Sequence, residues 1–97
     1  MYYLMSQYEL LGFERSRSPK KKYDAILSLK SIYPHDVVRV PFGDVRYAQY
    51  EDTTGLRLYS RLDHLSPARR DRFRKRHTGF LRAGYFSPSY FSYFYLW

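Results

Sequence analysis

The sequence predicts a small single-domain α+β fold: a short β-hairpin, two or three short helices and a basic N-terminal linker. Three observations point there. The chain has 97 residues, enough for one domain at most. Two strand-like runs, residues 23–29 and 37–44, follow one another closely enough to pair as a hairpin around residues 30–35. Two Ser-Pro steps, Ser66-Pro67 and Ser87-Pro88, each open a segment that suits a helix, because Ser caps and Pro tolerates the first helical position.

Taken in order, residues 1–13 carry Leu4, Tyr8 and Leu11 at a weak helical spacing, and Gly12 is placed to end a short helical turn. Residues 14–22, ERSRSPKKK, read as a solvated basic linker broken by Ser-Pro. The expected division is an N-terminal arm and linker over residues 1–22 and a compact module over residues 23–97. In KYDAILSL, Tyr23, Ala25, Leu27 and Leu29 alternate with Asp24, Ile26 and Ser28, the period of a strand. SIYPHD, with Pro34, is a connector. VVRVPFGD brings the β-branched Val37, Val38 and Val40, and Pro41 assigns its end to a sheet edge or an exit.

Residues 45–52 hold Tyr47 and Tyr50 three apart, a short helix or turn that TTG interrupts. In LRLYSRLDH, Leu56, Leu58, Tyr59 and Leu62 fit a helix slightly better than a strand. SPARRDRFRKRH is the clearest helix, capped by Ser66, opened by Pro67 and ended by Gly79. Phe73 is its one large apolar residue among Arg69, Arg70, Arg72, Arg74, Lys75 and Arg76, so it should lie on the outside, anchored through Phe73. SPSYFSYFYLW repeats the cap signal. As a helix it sets Tyr90, Phe94 and Trp97 on one face with Tyr93 beside them; extended, it would align Phe91, Tyr93, Tyr95 and Trp97. Ser-Pro favours the helix.

Composition narrows function. Seventeen Lys and Arg against nine Asp and Glu leave a net charge of +8. That balance calls for a polyanion or an acidic protein face as partner. Aromatic residues make up 21% of the chain, with twelve Tyr and seven Phe, well above ordinary usage. Tyr and Arg are enriched at protein interfaces and in single-strand stacking platforms alike. A chain of this size buries only ~60–65% of its unfolded surface, so outside contacts would add usefully to its stability. Cysteine is absent, which removes disulfides, thiolate metal sites and thiol catalysis. Neither a secretory leader nor a membrane span is expected, since the apolar N-terminal stretch is short and interrupted by Glu9.

No Gly-rich phosphate loop, nucleophile elbow or paired acid motif is present, so neither enzymatic activity nor a cofactor is expected. His35, His64 and His77 match no metal-ligand spacing and are assigned structural roles, His77 at a helix C-terminus where its charge suits the dipole. Asp44, Asp52, Asp63 and Asp71 are expected partners for arginines. Two basic segments remain. SPKK at Ser18–Lys21 resembles the minor-groove-binding repeats of histone tails and would present Lys20, Lys21 and Lys22 to phosphates; a solvated linker is the plainer alternative, and a localisation or phosphorylation site a further one. The helix RRDRFRKRH suits a phosphate backbone, an acidic protein surface or plain solvent. Six cations on three turns repel one another, so Arg69, Arg70, Arg74 and Arg76 are expected to meet carboxylates of this chain or a neighbour.

Lys21-Lys22-Tyr23, Phe42-Gly43, Tyr47 with Tyr50 and Asp52, Arg76-His77, Ala83-Gly84-Tyr85 and Leu96-Trp97 follow one another in an order that resembles a small uncharacterised protein family of large nucleocytoplasmic DNA viruses, including chlorella viruses and other giant viruses. The resemblance spans about residues 19–97 and brings no enzymatic activity with it. It implies a minor capsid protein, made in the infected host cell and placed on the inner face of the virion shell. Its partners would be the major capsid protein and other minor capsid proteins. Tyr85, Phe86, Tyr90, Phe91, Phe94 and Trp97, with Arg69, Arg70, Arg74 and Arg76, would then form the protein interface. The alternative is a DNA-binding or genome-packaging accessory protein using Lys20–Lys22 and Arg69–Arg76, with weak non-specific nucleic-acid contact.

Overall fold

The strand alternation in residues 23–29 becomes the middle of a sheet. The structure, a computed structural model, describes residues 3–30, 37–81 and 84–97. Strands β2 (Tyr8–Arg15), β3 (Lys21–Leu29) and β4 (Val37–Asp44) form an antiparallel sheet in the order β2-β3-β4. Tyr23, Ala25 and Leu27 point into the core, opposite Phe42, Val40 and Val38 of β4. Phe13 and Leu10 of β2 lie opposite Ala25 and Leu27 from the other side. Pro41 sits on the edge strand β4, where its missing N–H leaves no gap in a central ladder.

The N-terminal arm departs from expectation. Residues 1–13 do not make a helix: Tyr3–Leu4 form a short strand β1, and β2 begins at Tyr8. A register shift between Leu10 and Gly12 explains the misleading pattern. The extra residue, Leu11, points outward at 56% exposure, while Leu10 and Phe13 pack on the core. A bulge of this kind interrupts the period of two, so the apolar positions imitate helical spacing.

Nor is 14–22 a solvated linker, and the boundary at residue 22 falls inside β3. Glu14 and Arg15 complete β2, a turn follows, and Lys21 and Lys22 open β3. Buried Asp24 fixes that turn, accepting hydrogen bonds from Ser16 Oγ at 2.6 Å and the Arg17 amide at 3.2 Å. Arg39 bridges Asp24 and Glu14 at 3.2 and 2.6 Å, matching the charge across the three strands. The expected connector at residues 31–36, with His35, lies outside the described residues.

Helix α1 runs Pro67–Leu81 and α2 runs Pro88–Tyr95. Both Ser caps form: Ser66 Oγ accepts from the Arg69 amide at 3.4 Å, and Ser87 Oγ from the Tyr90 amide at 3.1 Å. Gly79 does not end α1, which continues to Leu81; a helical Gly costs about 1 kcal/mol relative to Ala, too little to terminate a helix. Between the helices, β5 (Tyr85–Phe86) pairs with β1. Tyr47 and Tyr50 lie in a turn and irregular chain rather than a helix, and residues 56–64 yield one three-residue 3-10 turn, Ser60–Leu62. The 45–65 segment is laced to its neighbours by backbone bonds from Glu51 to Leu96, Thr53 to Tyr95 and His64 to Gln49.

Helix α2 covers the sheet over β4, and α1 packs on α2. The core comprises Tyr23, Ala25, Leu27, Val40, Phe42, Phe91 and Leu96. Its rings meet edge-on or tilted, as Phe13–Phe42 at 5.7 Å and Phe42–Phe91 at 5.5 Å, the geometry that ring quadrupoles favour. The result is one small α+β domain. Much of its high aromatic content is spent internally.

Candidate anion-binding cleft

A cleft of about 540 Å³ opens between α1, the segment after β4, and the start of α2. Its basic wall follows from helical periodicity. Arg69, Arg72, Phe73 and Arg76 recur at i, i+3, i+4 and i+7, so they share one face of α1, and all four line the cleft. Phe73 anchors that face as expected. Its ring stacks on Trp97 at 4.4 Å and 7°, with His77 on the other side at 4.0 Å. Lys21 supplies a fourth cation from β3.

The cations of α1 are thus sorted by direction. Arg70 lies 4.7 Å above the Tyr50 ring, and Arg74 lies 5.2 Å above Tyr93 while donating to the Trp97 carbonyl at 3.1 Å. Within the chain, tyrosine faces receive these two guanidiniums, and no described Asp or Glu side chain pairs with them. Among the described residues no carboxylate pairs with Arg69, Arg72 or Arg76. Among the described residues Asp44 is the one acid lining the cleft. It is already neutralised: its two oxygens accept from Arg46 Nε at 3.1 Å and Nη2 at 2.8 Å. Those hydrogen bonds hold its carboxyl well below the usual carboxylate range.

Lys22 does not reach for phosphates. It is buried, and its Nζ donates to the Tyr47 carbonyl at 2.9 Å and to Gln49 Oε1, with the Tyr59 ring 5.5 Å away. Burial pushes its pKa below the ordinary lysine value, partly offset by the nearby Asp63 and Asp52. Lys22 therefore shapes the rim from behind instead of touching a ligand. Of the three lysines named in the sequence, Lys20 is exposed in the turn, Lys21 lines the cleft and Lys22 is internal.

Asp52 and Asp63 also serve the fold rather than arginines. Asp52 accepts from the buried Tyr23 hydroxyl and from Thr54, and its amide donates to Asp63 at 3.1 Å. The Tyr23 oxygen in turn accepts from the Leu58 amide at 3.0 Å. Burial, then the bond to Asp52, pushes the Tyr23 phenol up to about 12. The unfolded chain releases this proton near 10, so the folded state binds more protons between those values. Stability from this group is complete below pH ~10 and is lost as pH climbs toward 12. Lys22 has the opposite sign: the cost of burying its charge is present at neutral pH and eases as pH rises toward the unfolded value of 10.5. The Tyr23→Phe variant is expected to be less stable at pH 7, because Asp52 and the Leu58 amide lose a partner. Its denaturation midpoint should fall less steeply than the parent's above pH 10. Parallel slopes would show that Tyr23 is not the alkaline-sensitive group.

The aromatic interface anticipated from sequence is largely turned inward. Phe91 is 0% exposed, which corrects its assignment to an outside surface. Phe86 stacks on Phe91 at 5.6 Å, and Tyr90 and Trp97 pack against the core while remaining half-buried. Tyr85 pairs with Leu4 across the short β1–β5 ladder. Phe94, at 50% exposure, is the member of the set that projects into solvent. His64 takes a hydrogen bond from the Ser66 amide at 3.0 Å and faces Trp97, and burial lowers its pKa. His77 lies within α1 rather than at its C-terminus, with Nδ1 2.8 Å from the Phe73 carbonyl.

Among the described residues, no group of three or more His, Asp or Glu gathers as a metal site would require. No described helix is long and apolar enough to cross a membrane. No protein-family model, curated protein or solved structure matches the chain.

Proposed function

We propose that the chain is a binding protein, without catalytic chemistry of its own, whose cleft grips the phosphate backbone of nucleic acid. One observation carries this reading: Arg69, Arg72, Arg76 and Lys21 line a single cleft, and Asp44, the one carboxylate among its described lining residues, is already neutralised. Repulsion among such cations is relieved when an anion enters, and binding is driven further by release of counterions from the nucleic acid. Guanidinium groups suit phosphate because their planar forks donate two parallel hydrogen bonds. A recessed site also fits a linear polyanion better than a folded acidic surface. No base-reading element is part of this reading, so binding is weak, with Kd on the order of 10⁻⁴–10⁻⁶ M at physiological salt.

The test is a salt titration of oligonucleotide binding. Four described cleft cations, each contributing roughly 0.7–0.9 to the slope, give log K against log salt a slope of about −2.8 to −3.6. Arg72→Glu with Arg76→Glu is expected to flatten that slope by about half. Equal binding of polyglutamate, or a slope unmoved by the double variant, would sink the reading.

A second reading is favoured by the outward Phe94 and by the family resemblance: a minor structural protein of a large double-stranded DNA virus, cementing major capsid proteins on the inner face of the shell. Phe94, Leu65 and Tyr47, at 50%, 57% and 59% exposure, are the apolar groups it would offer. Particles emptied of genome separate the two readings, since a cementing protein stays with the shell and a genome binder leaves.

A further inference from the structure

The phosphate reading leaves Tyr47 without a task. Tyr47 is 59% exposed, yet it stands on the lining of the basic cleft. Its backbone is pinned from two sides: its amide donates to the Asp44 carbonyl at 3.2 Å, and its own carbonyl accepts from buried Lys22 at 2.9 Å. The Arg46 guanidinium lies 5.2 Å from the ring centroid, over one face, and is itself tied to Asp44. An aromatic ring that is held in place but not buried contributes little to a core. It offers instead a flat apolar surface beside four cations.

That combination, a ring platform next to a cationic groove, is how proteins hold unpaired nucleotides: any base can stack on the ring, and the cations track the backbone. Bases within a duplex already stack on one another and present no free face. Arg46 steadies the platform, because the attraction between its guanidinium and one ring face favours a single orientation of the ring. The volume, about 540 Å³, is in the range of small-ligand sites, ~300–1,000 Å³, and suits a nucleotide or two rather than a helix. We infer that the cleft selects single-stranded nucleic acid, Tyr47 stacking on an unpaired base while Arg69, Arg72, Arg76 and Lys21 hold the adjoining phosphates. This rests on the phosphate reading and narrows its substrate.

The decisive comparison uses three probes of matched length: a mixed-sequence single strand, the same strand with abasic sites throughout, and the corresponding duplex. Fluorescence anisotropy with the full chain is expected to show the base-bearing strand bound roughly tenfold more tightly than either of the others. Tyr47→Ala should erase that preference, bringing the base-bearing strand to the level of the abasic one, and Tyr47→Phe should retain it. The Ala change removes neither backbone bond at residue 47, and the comparison of probes with the unaltered protein stands without any variant. Equal binding of base-bearing and abasic strands, or a preference that survives Tyr47→Ala, overturns the stacking role. If that equal binding is still weakened by Arg72→Glu, only the stacking role fails. If no probe binds, the phosphate reading fails with it.

Discussion

Phe91→Ala is expected to lower the unfolding free energy by about 3–5 kcal/mol, the range for truncating a fully buried phenylalanine. Phe91 has no exposed surface, and five described rings surround it: Tyr90 at 5.2 Å, Phe42 at 5.5 Å, Phe86 at 5.6 Å, Phe13 at 6.1 Å and Tyr95 at 6.2 Å. These neighbours come from β4, β5, β2 and α2, so none can collapse into the space without moving an element. The residual cavity therefore stays open, and its cost adds to the lost hydrophobic transfer. Small domains hold only ~5–15 kcal/mol in all, so a substantial share would be lost. Phe94→Ala, three residues on, is the control. Its ring is half exposed, and the expected change is about 0.5 kcal/mol. Chemical denaturation of both variants checks the contrast. Comparable small losses for the two would mean that the aromatic tail is not core but a surface awaiting a partner.

Gly43→Ala is expected to cost about 2–5 kcal/mol, through two separable terms. Gly43 adopts φ +77°, in the left-handed region where a Cβ meets the following carbonyl. A Cβ there would also lie 2.8 Å from Leu96 Cδ1 and 3.4 Å from Lys22 Cβ. Leu96 is 2% exposed and packed among the core rings, so it has little freedom to withdraw. At Gly43 the end of β4, buried Lys22 and the segment after α2 thus come together, on the lining of the cleft. Shortening the obstructing side chain tests this. Leu96→Ala made in the Gly43→Ala background should cost clearly less than Leu96→Ala alone, since it relieves the overlap. Additive losses would show that backbone conformation alone disfavours Ala at this position.

Local chemistry was legible where a residue's role depends on its immediate neighbours. Ser66-Pro67 and Ser87-Pro88 mark helix starts because a side-chain oxygen three residues away is enough to satisfy an amide. The alternation in residues 23–29 and the edge position of Pro41 were visible for the same reason. Phe73 as the anchor of a basic helix follows from its being the one large apolar residue among guanidiniums. Phase errors were not legible. The bulge at Leu11 displaced the apolar pattern of β2 by one residue, and nothing local distinguishes that from a helical turn.

By itself, then, the sequence determined the helix caps, the central strand and the basic character of α1. Tertiary structure alone decided which charges remain available. Lys20, Lys21 and Lys22 are adjacent and chemically alike, yet they end in solvent, in a cleft and in the interior, because Lys20 stays in the turn while Lys21 and Lys22, successive strand residues, point to opposite sides. The arginines of α1 divide in the same manner between tyrosine faces and open space. Phe91 and Phe94 likewise part company because α2 has only one side against the sheet. The cleft joins Lys21, Tyr47, Arg72 and Trp97, four segments with no sequence proximity. Chain packing sets that encounter, since solvation, pairing and burial of a charge depend on what surrounds it in space.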